Sequence, residues 1–93
     1  MISILSASNR KGNLTAIFAE KCLQFLEEKN IESQLFHLSD LPKDLNLQSV
    51  YEYDTSVFNE ISEKLIRPAH KFLFIVPEYN GSIPGILKLF LDG

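Results

Sequence analysis

The chain has 93 residues and a net charge of −3 at neutral pH, with 45% hydrophobic and 23% charged residues. This composition is typical of one small globular domain and excludes an intrinsically disordered chain. The acidic balance and the scattered basic residues do not indicate a nucleic acid partner or a membrane surface. The single Cys22 excludes an internal disulfide, and no apolar stretch reaches the length of a membrane span, so we expect a cytoplasmic protein.

The first part of the chain is predicted to form a strand, a helix and a second strand. A β-rich run at residues 2–7 (ISILSA) leads into a polar loop at residues 8–13 (SNRKGN). Apolar residues then recur at helical spacing over residues 14–30, and Asn13 is the predicted N-cap of that helix. Residues 32–38 (ESQLFHL) indicate a second strand that is less apolar than the first.

The second part of the chain is predicted to form a loop, a helix, a strand and a third helix. Residues 39–54 have no clear period, which favours a loop, and residues 55–70 have the spacing of a helix. The predicted buried face of this helix consists of Val57, Phe58, Ile61, Leu65 and Ile66. Residues 71–76 (KFLFIV) predict a strand, and residues 84–92 predict a helix with Pro84 at its first position.

Alternating strands and helices predict a parallel sheet with helices on both of its faces. The mixed composition of the second strand suits an edge, which gives the strand order 2-1-3 with the first strand in the middle. The third strand has five apolar residues in a row, Phe72–Val76, a pattern typical of a strand buried on both faces. Because this order gives it only one neighbour, we expect the chain to be part of a larger domain or to complete its sheet with another chain.

Polar loops follow the first and third strands, where the order of the chain reverses and parallel sheets bind ligands. In the first loop, Ser8 and Arg10 precede a helix that has no acidic residue before Glu20. A helix start of this kind favours a phosphate group, although the loop matches neither a Walker motif nor a dinucleotide fingerprint. The alternative is an ordinary strand-to-helix turn with an Asn cap.

The loop at residues 77–83 is rich in groups that bind ligands. Its polar side chains are Glu78, Tyr79, Asn80 and Ser82. Pro77 closes the strand and Gly81 permits unusual backbone angles, so the N–H groups of residues 80–83 should point outward from the start of the third helix. They would bind one edge of a planar heterocycle, with Tyr79 against its face. The alternative is a turn with a surface tyrosine.

Both loops carry a resemblance to a known family. The sequence PEYNGSIPGILK at residues 77–88 resembles the signature loop of the NADPH-dependent FMN reductase family, and SASNRKGNLT at residues 6–15 resembles its phosphate loop. The resemblance implies a flavodoxin-like, three-layer αβα fold, with strand order 2-1-3 in this chain and 2-1-3-4-5 in a complete domain. Residues 1–93 would then be the amino-terminal part of one FMN-binding domain.

The resemblance also implies cofactors and partners. It implies FMN as the cofactor, NAD(P)H as the co-substrate, and a small-molecule electron acceptor such as a quinone, an azo compound or free flavin. It implies no nucleic acid and no membrane partner. The assembly it implies is a homo-oligomer, or a sheet completed by further chain segments.

Site residues follow from the resemblance by position. The implied phosphate ligands are Ser8, Arg10, Asn13, Leu14 through its amide, and Thr15. The implied isoalloxazine contacts are Pro77, Glu78, Tyr79, Asn80, Gly81 and Ser82. The family usually has Gly, Ser and Asn where this chain has Ala7, Asn13 and Thr15, and the two polar replacements still offer hydrogen bonds to an anion. No catalytic side chain and no metal site is implied.

Two other functions remain open. A flavodoxin-type electron carrier would bind FMN without oxidising a nicotinamide, but the long loop after the third strand argues against it. A truncated, non-catalytic fragment would bind no FMN by itself, because the family's third flavin loop follows a fourth strand that these residues do not include.

Overall fold

The computed structural model describes residues 1–8, 10, 12–41, 56–78 and 84–92. The strands are β1 (Ile2–Ser6), β2 (Ser33–His37) and β3 (Lys71–Ile75). The helices are α1 (Leu14–Glu28), α2 (Ser56–Ile61) and α3 (Gly85–Asp92). A 3-10 turn at Leu38–Asp40 follows β2, and α2 continues directly into a π-helical segment at Ser62–Ile66.

The three strands form one parallel sheet in the order β2-β1-β3, as the sequence predicts. In its register, Ile2 lies opposite Ser33 on one side and Lys71 on the other. Because successive side chains of a strand alternate between faces, even-numbered β1 residues face α1 and odd-numbered ones face α2 and α3. The predicted α/β fold with helices on both faces is therefore confirmed.

The core lies between the sheet and the layer formed by α2, the π-helical segment and α3. Leu5 and Ala7, both fully buried, pack there with the buried side chains of Leu65, Leu87 and Phe90. The partly buried residues at its margin are Phe36, Phe58, Ile61 and Ile86. The predicted inner face of the second helix is thus confirmed at Phe58, Ile61 and Leu65, whereas Ile66 is exposed. The side chain of Val57, also predicted there, lies outside the described residues.

A polar network connects the π-helical segment to the start of the sheet. The buried Ser3 hydroxyl donates to the carbonyl of Leu65 at 2.6 Å. The side-chain amide of Gln34 donates to Ser3 Oγ and to the carbonyl of Lys64, both at 2.9 Å. Since a π turn shifts backbone hydrogen bonds out of the α-helical pattern, these side chains supply bonds that stabilise it.

The outer surface of α1 differs from the prediction. The helix forms at the predicted place, but Leu14 is 79% exposed and Phe18 and Phe25 are each 59% exposed. Cys22, in the same helix, is half-buried, whereas Ala19 is fully buried. The spacing correctly predicted an apolar face, but in the described residues only part of that face lies against the sheet.

The exposure of β3 also differs from that of a strand buried on both faces. Phe72 and Phe74 are 41% and 43% exposed, and Leu73 and Val76 are exposed to a similar degree. Among the described residues, β3 pairs with β1 alone. Its sequence is that of an interior strand, and its position is that of an edge strand.

Candidate functional site

The two predicted loops begin side by side. Ser6 and Ile75, the last residues of β1 and β3, lie opposite each other in the parallel register. One residue further on, the N–H of Ala7 donates to the carbonyl of Ile75 at 2.9 Å. The first loop therefore leaves the sheet at Ala7 next to the point where β3 ends, which is the arrangement that the strand order predicts.

The first loop is held by its own side chains. The N–H of Arg10 donates to the buried Ser8 Oγ at 3.2 Å, and Gly12 has the left-handed backbone angle φ of 65°. The side-chain amide of Asn13 donates to the carbonyl of Arg10 at 2.6 Å, while its Oδ1 accepts from the N–H of Ala16 at 2.7 Å. The predicted N-cap is confirmed, and the same side chain also fixes the loop backbone.

This loop has the electrostatics of an anion site. The first turn of α1 contains no acidic residue, and the first N–H groups of a helix have no partner within the helix. Arg10 in the loop is exposed, and Thr15 in that first turn is half-buried. In the described part of the chain, the buried Ser6 Oγ has no hydrogen-bond partner. The positive end of α1, the Arg10 guanidinium and these hydroxyl groups together fit a phosphate group.

The second loop lies only partly within the described residues. Pro77 is half-buried and Glu78 is exposed, directly after β3. The predicted contacts Tyr79, Asn80, Gly81 and Ser82 lie outside the described residues. The chain is described again at the buried Pro84, whose carbonyl accepts from the N–H of Lys88 at 3.3 Å. α3 therefore begins at Gly85, one residue later than predicted.

Comparison with known proteins agrees with the family resemblance that the two loop sequences carry. The family model described as NADPH-dependent FMN reductase matches residues 1–93, which is the whole chain. The chain belongs to the NADPH-dependent FMN reductase family. A curated protein of Bacillus subtilis (strain 168), "Putative NAD(P)H-dependent FMN-containing oxidoreductase YwqN", is 25% identical over 91 residues. The match covers 98% of this chain and 50% of that protein, so the chain spans about half the length of its relative.

Membership of this family bears directly on the cofactor. The family is one of oxidoreductases that use FMN and NADPH.

The described residues contain no group of three or more His, Cys, Asp or Glu side chains placed to hold a metal ion. Within the same residues, no helix is both long and apolar enough to cross a membrane.

Sequence reasoning did not identify the second role of Asn13. The N-cap could be predicted because Asn precedes an apolar helical pattern. The bond from Asn13 to the Arg10 carbonyl depends on the path of the loop, which turns through the left-handed Gly12. The available signal was Gly12, just before the predicted cap, which indicates a turn in the loop. It does not predict which carbonyl the Asn13 side chain contacts.

Replacing Asn13 by Ala should destabilise the chain by about 0.5–2 kcal/mol, because the Ala16 N–H loses its cap and the Arg10 carbonyl loses a donor. Urea unfolding followed by circular dichroism measures the change. Asn13→Ser is the matched control, since a serine hydroxyl caps a helix about as well and should recover most of the loss. Equal losses in both variants would contradict a role for the cap.

Proposed function

We propose that the chain forms the amino-terminal, phosphate-binding part of one flavodoxin-like FMN-binding domain, in a reductase that transfers electrons from NAD(P)H to a small acceptor such as a quinone, an azo compound or free flavin. The observation that carries this proposal is that the chain leaves β1 and β3 side by side at the carboxyl end of the sheet, where the Ala7 N–H donates to the Ile75 carbonyl. Family membership supplies the chemical identity of the ligand.

The first loop would hold the phosphate of FMN. Ser8 and Arg10 supply a hydroxyl and a guanidinium group, and the amides of Leu14 and Thr15 lie in the first turn of α1. Oδ1 of Asn13 accepts the capping bond, and one of its two amide hydrogens donates to the Arg10 carbonyl. The second amide hydrogen would donate to an anion. The loop is therefore organised before a ligand arrives, which reduces the entropy lost on binding.

The second loop would contact the isoalloxazine ring. We propose Pro77 and Glu78 together with Tyr79, Asn80, Gly81 and Ser82 as the residues of this contact. When bound, FMN supplies the redox chemistry, and the protein supplies position and electrostatics. Backbone N–H groups near the start of α3 would favour the extra negative charge of a reduced ring.

The assignment can be tested by NMR titration of the chain with FMN at millimolar concentration, which detects weak binding. The expected amide shift changes are confined to residues 8–16 and 76–85, and riboflavin, which lacks the phosphate, should leave the first group nearly unchanged. Arg10→Ala should reduce the changes in the first loop, and Lys29→Ala, at the other end of α1, is the matched control. Changes spread elsewhere, or none at all, would overturn the site.

A flavodoxin-type electron carrier is the second candidate, because the phosphate loop alone would serve either function. Anaerobic addition of NADPH separates the two, since a reductase bleaches the flavin absorbance and a carrier does not. We also propose a cytoplasmic location, which the single reduced Cys22 supports. No nucleic acid or membrane partner is proposed, because the chain is acidic.

A further inference from the structure

We propose that His37 is a positioning residue for the first loop, and that its ring joins the two elements between which this loop runs. Its Nδ1 would accept a hydrogen bond from Ser6, the last residue of β1, while its Nε2 faces Glu20 on α1. The inference rests on the proposed function, since it concerns the loop that would bind the FMN phosphate. Neither Ser6 nor His37 is among the residues that the proposed function assigns to the ligand.

A buried donor and a buried acceptor lie unpaired at the ends of neighbouring strands. Ser6 is fully buried, and the side chain of His37 is 23% exposed with its Nδ1 atom shielded from solvent. Among the described residues, neither Ser6 Oγ nor His37 Nδ1 has a hydrogen-bond partner. Since buried polar atoms of native proteins are nearly always paired, both atoms require an explanation.

The register of the sheet places these two residues side by side. Ser6 lies opposite His37 in the parallel pairing of β1 with β2, so both side chains point to the face that α1 covers. The same sheet shows that opposite side chains can bond, because Gln34 lies opposite Ser3 and donates to its Oγ at 2.9 Å. Rotation about the Cα–Cβ bond of Ser6, between staggered positions, would bring its hydroxyl to His37 Nδ1.

Glu20 selects the form of the ring that can accept this bond. Its carboxylate lies 3.6 Å from His37 Nε2. In a neutral imidazole one nitrogen carries the proton and the other accepts, and a carboxylate favours the proton on the nitrogen that faces it. His37 Nδ1 would then be an acceptor that matches the hydroxyl donor of Ser6. Because the Glu20 side chain is 64% exposed, solvent screens its attraction, and the buried bond to Ser6 carries the proposal.

These contacts would hold the first loop at both of its ends. Ser6 precedes the turn of the chain out of β1, and α1 begins at Leu14 directly after the loop. With His37 held between Ser6 and Glu20, the strand end and the helix keep a fixed separation, and so do the groups that would face the phosphate. Since a serine hydroxyl has a single hydrogen, Ser6 would orient the loop and leave the phosphate to the loop residues and the helix amides.

Nitrogen-15 NMR of the imidazole rings tests the hydrogen bond without any ligand. At a pH high enough to keep the ring neutral, His37 is expected to carry its proton on Nε2. Ser6→Ala should shift the Nδ1 resonance of His37, and should leave the ring of His70, directly before β3 at the other end of the sheet, unchanged. A proton on Nδ1, or an Nδ1 resonance that Ser6→Ala does not move, overturns the proposal.

The ratio of the FMN and riboflavin affinities, measured by NMR titration, tests the effect on the loop. Ser6→Ala should lower this preference for FMN about threefold to tenfold, the effect of about one hydrogen bond, because only FMN carries a phosphate. His37→Phe should lower it equally, and the double variant should lose no more than either single variant, since both remove the same bond. Ser33→Ala, at the amino end of β2, is the matched control and should leave the ratio unchanged.

A conservative variant separates the hydrogen bond from the shape of the ring. His37→Gln keeps an acceptor for Ser6 and should recover most of the FMN preference that His37→Phe loses. It also serves as the test if circular dichroism shows that His37→Phe does not fold, and a loss as large as that of Ser6→Ala would then contradict the bond. Additive losses in the double variant would overturn the proposal as well.

The two measurements distinguish this proposal from the proposed function. A preference for FMN that Ser6→Ala and His37→Phe leave intact would overturn the positioning role alone. A native chain that binds FMN no better than riboflavin would overturn the phosphate site and the positioning role together, whereas the nitrogen spectra would still decide whether Ser6 bonds to His37.

Discussion

The 93-residue chain alone is expected to bind FMN with a dissociation constant above about 1 µM. The first loop is organised to receive a phosphate, since Ser8 and Asn13 fix the backbone of Arg10. The ring system depends on the loop after β3, and the resemblance to the family places a further flavin loop after a fourth strand. The two loops would contact the phosphate and one side of the ring system. Much of the apolar surface of FMN would then stay in water, which limits the affinity.

Isothermal titration of the chain with FMN measures this affinity. Riboflavin is the control ligand, and its affinity should be lower still because the phosphate contacts are lost. A dissociation constant well below about 1 µM for FMN would contradict the prediction, and would mean that the two loops suffice for the site. A preparation that retains stoichiometric flavin through purification would lead to the same conclusion.

Leu5→Ala is expected to lower the free energy of unfolding by about 2–5 kcal/mol. Leu5 is fully buried on the central strand and packs with Leu65 and Leu87, so truncation leaves a cavity that strands paired on both sides cannot close. The loss is large for a domain whose stability is of the order of 0.1 kcal/mol per residue. We expect the variant to be partly unfolded at 37 °C.

Urea unfolding at a fixed protein concentration provides the measurement, because association would add to the apparent stability. Leu14→Ala removes the same atoms from a side chain that is 79% exposed, and should change stability by less than about 0.5 kcal/mol. If the two variants lost similar amounts, the core would not be where the structure places it.

The sequence predicted the sheet order because the three strands differ in composition. The mixed strand β2 belongs at an edge, and right-handed crossovers then leave few arrangements. Helix positions followed from apolar spacing and from caps such as Asn13. The predictions about burial succeeded where the partner lies within the described chain, as for Leu65, and failed for Phe72. Periodicity identifies which face is apolar, but it does not identify what covers that face.

For the site, the sequence predicted that the two loops start from adjacent strand ends, but not how the residues of the first loop bond. That the two loops start side by side follows from strand order alone, and the bond from the Ala7 N–H to the Ile75 carbonyl shows that β1 and β3 end next to each other. The double bonding of Asn13 and the unpartnered hydroxyl of Ser6 depend on backbone angles and on neighbours across the sheet. Neither feature can be inferred from a motif, because a motif records residue types and not the orientation of their side chains.

The bonds from Ser3 and Gln34 to the π-helical carbonyls lie at the amino ends of the strands, whereas both ligand loops leave from the carboxyl ends. The polar network and the candidate ligand loops thus lie at opposite ends of the sheet, separated by the length of the strands. A substitution in either loop therefore leaves the bonds of Ser3 and Gln34 at the other end of the sheet in place.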